Sequence, residues 1–109
     1  MSEFVFLYRE ARTPSPEELE VRMKTTLAWF KDLEQKGHLA VYGHPLNRKD
    51  GGVVKKGGIT DGPYAETKDI VIGFSVIEAK DFEQAVALAR ACPLVEAGCL
   101  IEVRPVLKL

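Results

Sequence analysis

No stretch of the 109-residue chain approaches the ~20 consecutive apolar residues that a membrane-spanning helix needs. The opening Met1-Ser2-Glu3-Phe4 lacks the basic run of a secretory leader, and the apolar residues behind it are too few for a leader's core. A cytoplasmic protein is therefore expected. Cysteine is scarce: Cys92 and Cys99 match neither a redox pair nor a zinc-binding spacing, and they read as reduced, mostly buried small hydrophobes. An excess of either charge is absent too, since 15 Lys and Arg stand against 16 Asp and Glu, mixed along the chain. Without a basic stripe a nucleic-acid backbone finds no electrostatic footprint, so no nucleic-acid partner is expected. Internal repeats and linker-like segments are also lacking.

What is present suits one ordered domain spanning residues 1–109. Hydrophobic residues make up 46% of the chain against 28% charged, enough to build a core rather than remain disordered. Phe4-Val5-Phe6-Leu7-Tyr8 is aromatic and β-branched and reads as a first strand. Ser15-Pro16-Glu17-Glu18 supplies a capping serine, a proline at the first helical position and a glutamate three past the cap. Leu19, Met23, Leu27, Phe30 and Leu33 follow as one apolar stripe, and Gly37 is the expected stop. Leu39 to Gly43 suits a second strand, ended by Pro45. Val53-Val54 and Ile59-Thr60 flank Lys55-Lys56-Gly57-Gly58 as a short hairpin with a solvated tip. Ile70 to Ile77 is the strongest strand signal. Asp81-Phe82-Glu83-Gln84 opens a second helix whose face is Phe82, Ala85, Val86 and Ala89, with Pro93 ending it. Leu100 to Leu107 is a last strand, and Pro105 places it near an edge or at the strand's end.

The order β-α-β, irregular insert, β-α-β predicts the α+β class: a ferredoxin-like split βαβ plan, with an antiparallel sheet and both helices on one face. Strand alternation then has a consequence. Ile70, Ile72, Phe74 and Val76 point one way while Val71 and Ile77 point the other; Phe4, Phe6 and Tyr8 oppose Val5 and Leu7. Both faces of the sheet are apolar, yet two helices cover only one. A homodimer with facing sheets is the expected cover.

Few residues offer chemistry. Asp61-Gly62-Pro63 has a turn-forming use, with Asp61 bonding backbone N–H groups ahead of it, and an alternative use in which Asp61 is a general base or a ligand to a polar substrate. Glu102 and Arg104, two apart in a strand, share a face; they form an ion pair with each other, Glu66 or Asp61, or Arg104 grips a substrate carboxylate with its planar fork. Histidine changes charge near neutral pH, and the chain has two. In a regular second strand His38, Tyr42 and His44 would share a face, with His44 placed at the strand's end where a binding residue is useful. Trp29, one position off the helical stripe, packs in a core or interface, or lines a pocket edge with its indole N–H. Two histidines among scattered acids do not make a metal site, so no metal is expected.

Asp61-Gly62-Pro63-Tyr64-Ala65-Glu66-Thr67-Lys68-Asp69, Gly73-Phe74, Ile77-Glu78-Ala79, Ala91-Cys92-Pro93 and Ile101-Glu102-Val103-Arg104-Pro105 resemble the DGPF-domain branch of the YCII-related (YciI-like) proteins. Trp29, Gly43 and Leu46 fit as well, whereas Tyr64 stands where the branch name has phenylalanine. The resemblance covers essentially the whole chain. It implies a dimeric α+β barrel and a domain treated as an enzyme with no defined reaction; related domains also occur beside sigma factors in transcription regulators. The histidine and aspartate proposed as catalytic in the YciI branch would fall near Thr26 and Gln35, so that dyad is not reproduced.

The expectation is a small-molecule enzyme or ligand-binding protein using acid–base groups in a pocket near the Asp61-Gly62-Pro63-Tyr64 turn. His44, Asp61 and Glu66 are the candidate catalytic groups, and Tyr64, Glu102, Arg104 and Trp29 the candidate binding groups. No cofactor is called for, because these side chains support acid–base chemistry unaided. The alternative is a non-catalytic accessory or regulatory module working through its dimer surface.

Overall fold

A computed structural model of the chain describes residues 1–62 and 69–109. Its elements run β1 (Ser2–Glu10), α1 (Pro16–Gln35), β2 (Leu39–Pro45), β3 (Gly52–Lys55), β4 (Gly58–Asp61), β5 (Ile70–Ala79), α2 (Phe82–Arg90), α3 (Pro93–Glu96) and β6 (Leu100–Pro105). The four longer strands form one antiparallel sheet in the order β2-β5-β1-β6. With α1 joining β1 to β2 and α2 lying between β5 and β6, this is the α+β, ferredoxin-like arrangement read from the sequence. β3 and β4 make a separate hairpin in which Lys55 pairs with Gly58, leaving Lys56-Gly57 as the turn. Gly57 takes the left-handed conformation there (φ 92°).

Local chemistry explains both ends of α1. Ser15 Oγ accepts from the Glu18 N–H at 3.2 Å, and the Glu18 carboxylate accepts from the Ser15 N–H at 3.2 Å, a complete capping box. At the far end the His38 N–H donates to Leu33 and the Gly37 N–H to Glu34, with Gly37 at φ 77°. That pair of bonds is a Schellman closure, which satisfies carbonyls that the helix leaves free. α2 is capped by Asp81, whose carboxylate accepts from the Gln84 N–H at 2.8 Å. Pro93 does more than stop α2. It opens the short α3, because proline's fixed φ and missing N–H suit a first helical position.

The core lies between the helices and one face of the sheet. Phe4, Phe6 and Tyr8 of β1, Ile77 and Ala79 of β5, Trp29 and Leu33 of α1, and Ala85 and Ala89 of α2 are buried together. Cys92 joins this core and Cys99 is buried as well; both are free thiols, and burial pushes the Cys92 pKa up to about 11. The face of α1 that packs overlaps the expected stripe only at Phe30 and Leu33. Arg22, Trp29 and Leu33 are buried, while Leu19, Met23 and Leu27 of the apolar stripe are exposed, Met23 at 72%. The helix is rotated so that Arg22 reaches an inward carboxylate on β1, and the stripe becomes the wall of a cavity.

The molecule measures 43 × 42 × 19 Å. The thin dimension holds one sheet and one helical layer about 10 Å across. The sheet face opposite the helices carries half-buried Val5, Leu7, Phe74 and Val76, brought side by side by the pairings Val5–Val76 and Leu7–Phe74. Among the described residues no helix packs over that face, and the β3–β4 hairpin makes no substantial contact with the sheet.

Candidate functional site

β2 is irregular, and its irregularity builds the site. Against β5 it pairs Leu39 with Ile77, Val41 with Val76, and His44 with Phe74, so β2 twice spends one residue more than its partner. Gly43 sits at the second bulge with φ 77°, and any Cβ there would overlap the Phe74 carbonyl oxygen. Gly73 opposite is crowded by the His44 carbonyl, the Pro45 Cα and the Tyr8 ring. Gly43 thus lets the backbones approach where a side chain could not fit, and at Gly73, opposite Pro45, a Cβ would press on the His44 carbonyl. The bulges also cancel the simple parity expected of this strand. His38 turns aside and its Nδ1 bonds the Glu78 carbonyl at 2.8 Å. Tyr42 and His44 remain at the cavity, the former packed 5.4 Å from the Phe30 ring and the latter 6.0 Å from Phe74.

The cavity, of about 590 Å³, lies between α1, β2 and the adjoining end of β5. That volume falls within the range of small-molecule sites. Leu19, Met23, Leu27 and Phe30 form the helical wall, Tyr42 to Pro45 the strand wall, and Ile72 to Phe74 the floor, with Tyr8, Thr26 and Leu94 completing it. The Tyr8 hydroxyl is bonded to Ser75 Oγ at 2.5 Å, and burial pushes its pKa upward, so it stays protonated. Thr26 Oγ1 is buried with no hydrogen-bond partner among the described residues.

One end of the cavity is charged. Arg22 and Arg48 both line it, and both reach the carboxylate of Glu10, which points inward from β1. Arg22 grips it with two bonds of 2.8 Å, and Arg48 approaches to 2.9 Å. The bonds from Arg22, followed by those from Arg48, hold the Glu10 pKa below its usual value against the opposing effect of burial. Beside them Arg12 pairs with Glu18, and that pairing lowers the exposed Glu18 pKa to about 2.

The expected site residues do not all gather here. His44 lines the cavity. Trp29 does not; it stacks on Phe6 at 6.4 Å in the core. Asp61 is exposed at the end of the hairpin, away from the cavity lining. Glu102 and Arg104 pair at 3.2 Å across the open sheet face, where Glu102 also meets Arg9 and Arg9 meets Asp69 at 2.7 Å. Tyr64 and Glu66 lie outside the described residues. Tyr42, Arg22 and Arg48 were missed as site residues. A signal for the arginines exists in the sequence: Phe4, Phe6, Tyr8 and Glu10 share one strand face, and a carboxylate on a buried face requires a cation. Among the described residues no three His, Cys, Asp or Glu side chains converge on a metal-sized space, and no helix is long and apolar enough to cross a membrane.

A four-stranded antiparallel sheet backed by two capped helices, with a cavity under one edge strand, defines a ferredoxin-like α+β protein. The chain belongs to the YCII-related domain family, whose sequence model matches residues 3–109. No curated protein matches it. Among solved structures it is similar to the 5-chloro-2-hydroxyhydroquinone dehydrochlorinase TftG from Burkholderia phenoliruptrix AC1100, in complex with 2,5-dihydroxybenzoquinone. The two are 23% identical, with 92% of this chain and 90% of that chain covered and a TM-score of 0.49.

Proposed function

We propose that the protein is a cofactor-independent small-molecule enzyme or ligand-binding protein acting in the cavity between α1 and β2. The observation that carries this reading is the cavity of about 590 Å³ itself, apolar over most of its lining, with His44 and Tyr42 on one wall and two guanidiniums at one end. Apolar walls desolvate a bound molecule, and a few placed polar groups orient it. His44 lines the cavity and carries the imidazole suited to move a proton, while the Tyr42 hydroxyl, farther along the same strand, engages Glu34 of α1. The Asp61-Gly62-Pro63-Tyr64 run supports membership of the DGPF branch. Two buried free thiols suit a cytoplasmic location.

Pairing of two chains through the open sheet face belongs to the same reading. The thin, two-layered shape and the apolar row Val5, Leu7, Phe74 and Val76 support it. An accessory module working through that face alone is the second reading, favoured by the same row and by the exposed position of Asp61.

A metabolite-library thermal-shift screen separates the two. The enzyme or binding reading expects at least one compound that raises the melting temperature, with the rise reduced in Phe30→Ala. With a turned-over compound in hand, His44→Asn lowers kcat by ~10²–10⁴-fold, the usual scale of general acid–base assistance. A screen without any stabilising compound leaves the accessory module.

A further inference from the structure

Among the described residues, the charges at the cavity's end do not cancel. Three guanidiniums, those of Arg12, Arg22 and Arg48, meet two carboxylates, those of Glu10 and Glu18. Arg12 spends its fork on Glu18, through bonds of 3.2 and 2.6 Å. Glu10 is then left to serve both Arg22 and Arg48. Arg22 takes both of its oxygens, so Arg48 shares one oxygen and bonds otherwise to the Arg12 carbonyl, at a long 3.4 Å. Exposure is low where this happens: 2% for the Glu10 side chain, 10% for Arg22 and 20% for Arg48. A surplus positive charge is cheap in open water and costly when largely desolvated.

The cavity lining adds no remedy. Among the described residues its charged members are Arg22 and Arg48, and none is an aspartate or glutamate. The remaining surface is apolar and partly aromatic, with Phe30, Tyr42 and Phe74 within it. We infer that the ligand of this cavity has an apolar, ring-sized body and a single carboxylate, which completes the pairing of Arg48 at the charged end. The inference rests on the reading of this cavity as the binding site and adds the chemical class of what fills it. A planar carboxylate matches the arginine fork through two parallel bonds, which a neutral amide cannot reproduce. Glu10 acts as a positioning residue here: it holds Arg22 and Arg48 together at the cavity without consuming the second fork.

Isothermal titration with a matched pair, 3-phenylpropionate and 3-phenylpropionamide, tests the inference. The carboxylate is expected to bind at least about tenfold more tightly than the amide at low salt, the difference narrowing as salt is raised. Arg48→Met, which leaves the Arg22–Glu10 pair in place, should bring the two probes within about twofold of each other while the amide's affinity stays as it was. Arg48→Lys, which keeps the charge but not the fork, should fall between. Equal binding of the two probes, or a preference that survives Arg48→Met, overturns the carboxylate inference and leaves the cavity reading intact. Absence of binding by both probes at millimolar concentration overturns the cavity reading, and the inference with it.

Discussion

Gly43 has no room for a side chain, and its backbone lies in the left-handed region. Gly37 shares the second property but not the first, because nothing lies within 4 Å of a Cβ placed there. Gly37→Ala should therefore cost ~1–2 kcal/mol, the ordinary penalty of a left-handed L-residue. Gly43→Ala should add ~1–3 kcal/mol for the clash, since the Phe74 carbonyl belongs to a sheet backbone that cannot step aside. Urea denaturation of the two variants reads the difference directly. Glu10 gives a second test at this scale. Its folded pKa lies below its ordinary 4.5, chiefly through the bonds from Arg22. A lowered carboxyl pKa contributes stability above the unfolded value, and that contribution is lost as pH falls through the folded value. Stability should thus decline below about pH 4.5, and Glu10→Gln should flatten that decline while costing ~3–5 kcal/mol at neutral pH by leaving buried guanidiniums unmatched. A decline just as steep in Glu10→Gln would assign the acid sensitivity to other carboxylates.

Elements were most legible where their signals are local. The start of α1 is written in four consecutive residues, and its end in a single glycine, because caps need only neighbours. Ser15→Ala should lower stability by ~1 kcal/mol, checked as a shift in the urea midpoint at unchanged slope. The hairpin was equally readable from its glycines. What the chain keeps to itself is which face of an element packs. Leu19, Met23 and Leu27 have the right spacing for a core, but Arg22 must meet Glu10 across the fold, and that pairing turns the helix. The bulges of β2 escape notice for a similar reason. They depend on Phe74 and Gly73 of a strand far along the chain, so alternation alone put His38 beside Tyr42. Pro93 was read only as a stop because the same residue serves endings and beginnings.

For the whole molecule, the order of elements pointed to the split βαβ plan, and apolar periodicity along entire strands pointed to the uneven cover of the sheet. The cavity was less legible. His44, which lines the cavity, drew notice because histidine is rare in this chain; Arg22 and Arg48 did not, because a guanidinium becomes informative only once its carboxylate is known to be buried. The proposed pairing is open to a direct measurement. Val76→Lys places a charge in the middle of the apolar row without touching the core face, so sedimentation equilibrium should show the unaltered protein as a dimer at micromolar concentration and Val76→Lys as a folded monomer. An unaltered protein that sediments as a monomer would remove the pairing. Phe74 stands in both places at once, beside Leu7 on the open face and on the floor of the cavity. In the proposed dimer, a guest that moved this residue would alter how firmly two copies grip one another, and assembly would alter the guest's affinity by the same factor. Dilution would then be a hidden variable in every titration of that dimer, to be held constant before any two affinities are compared.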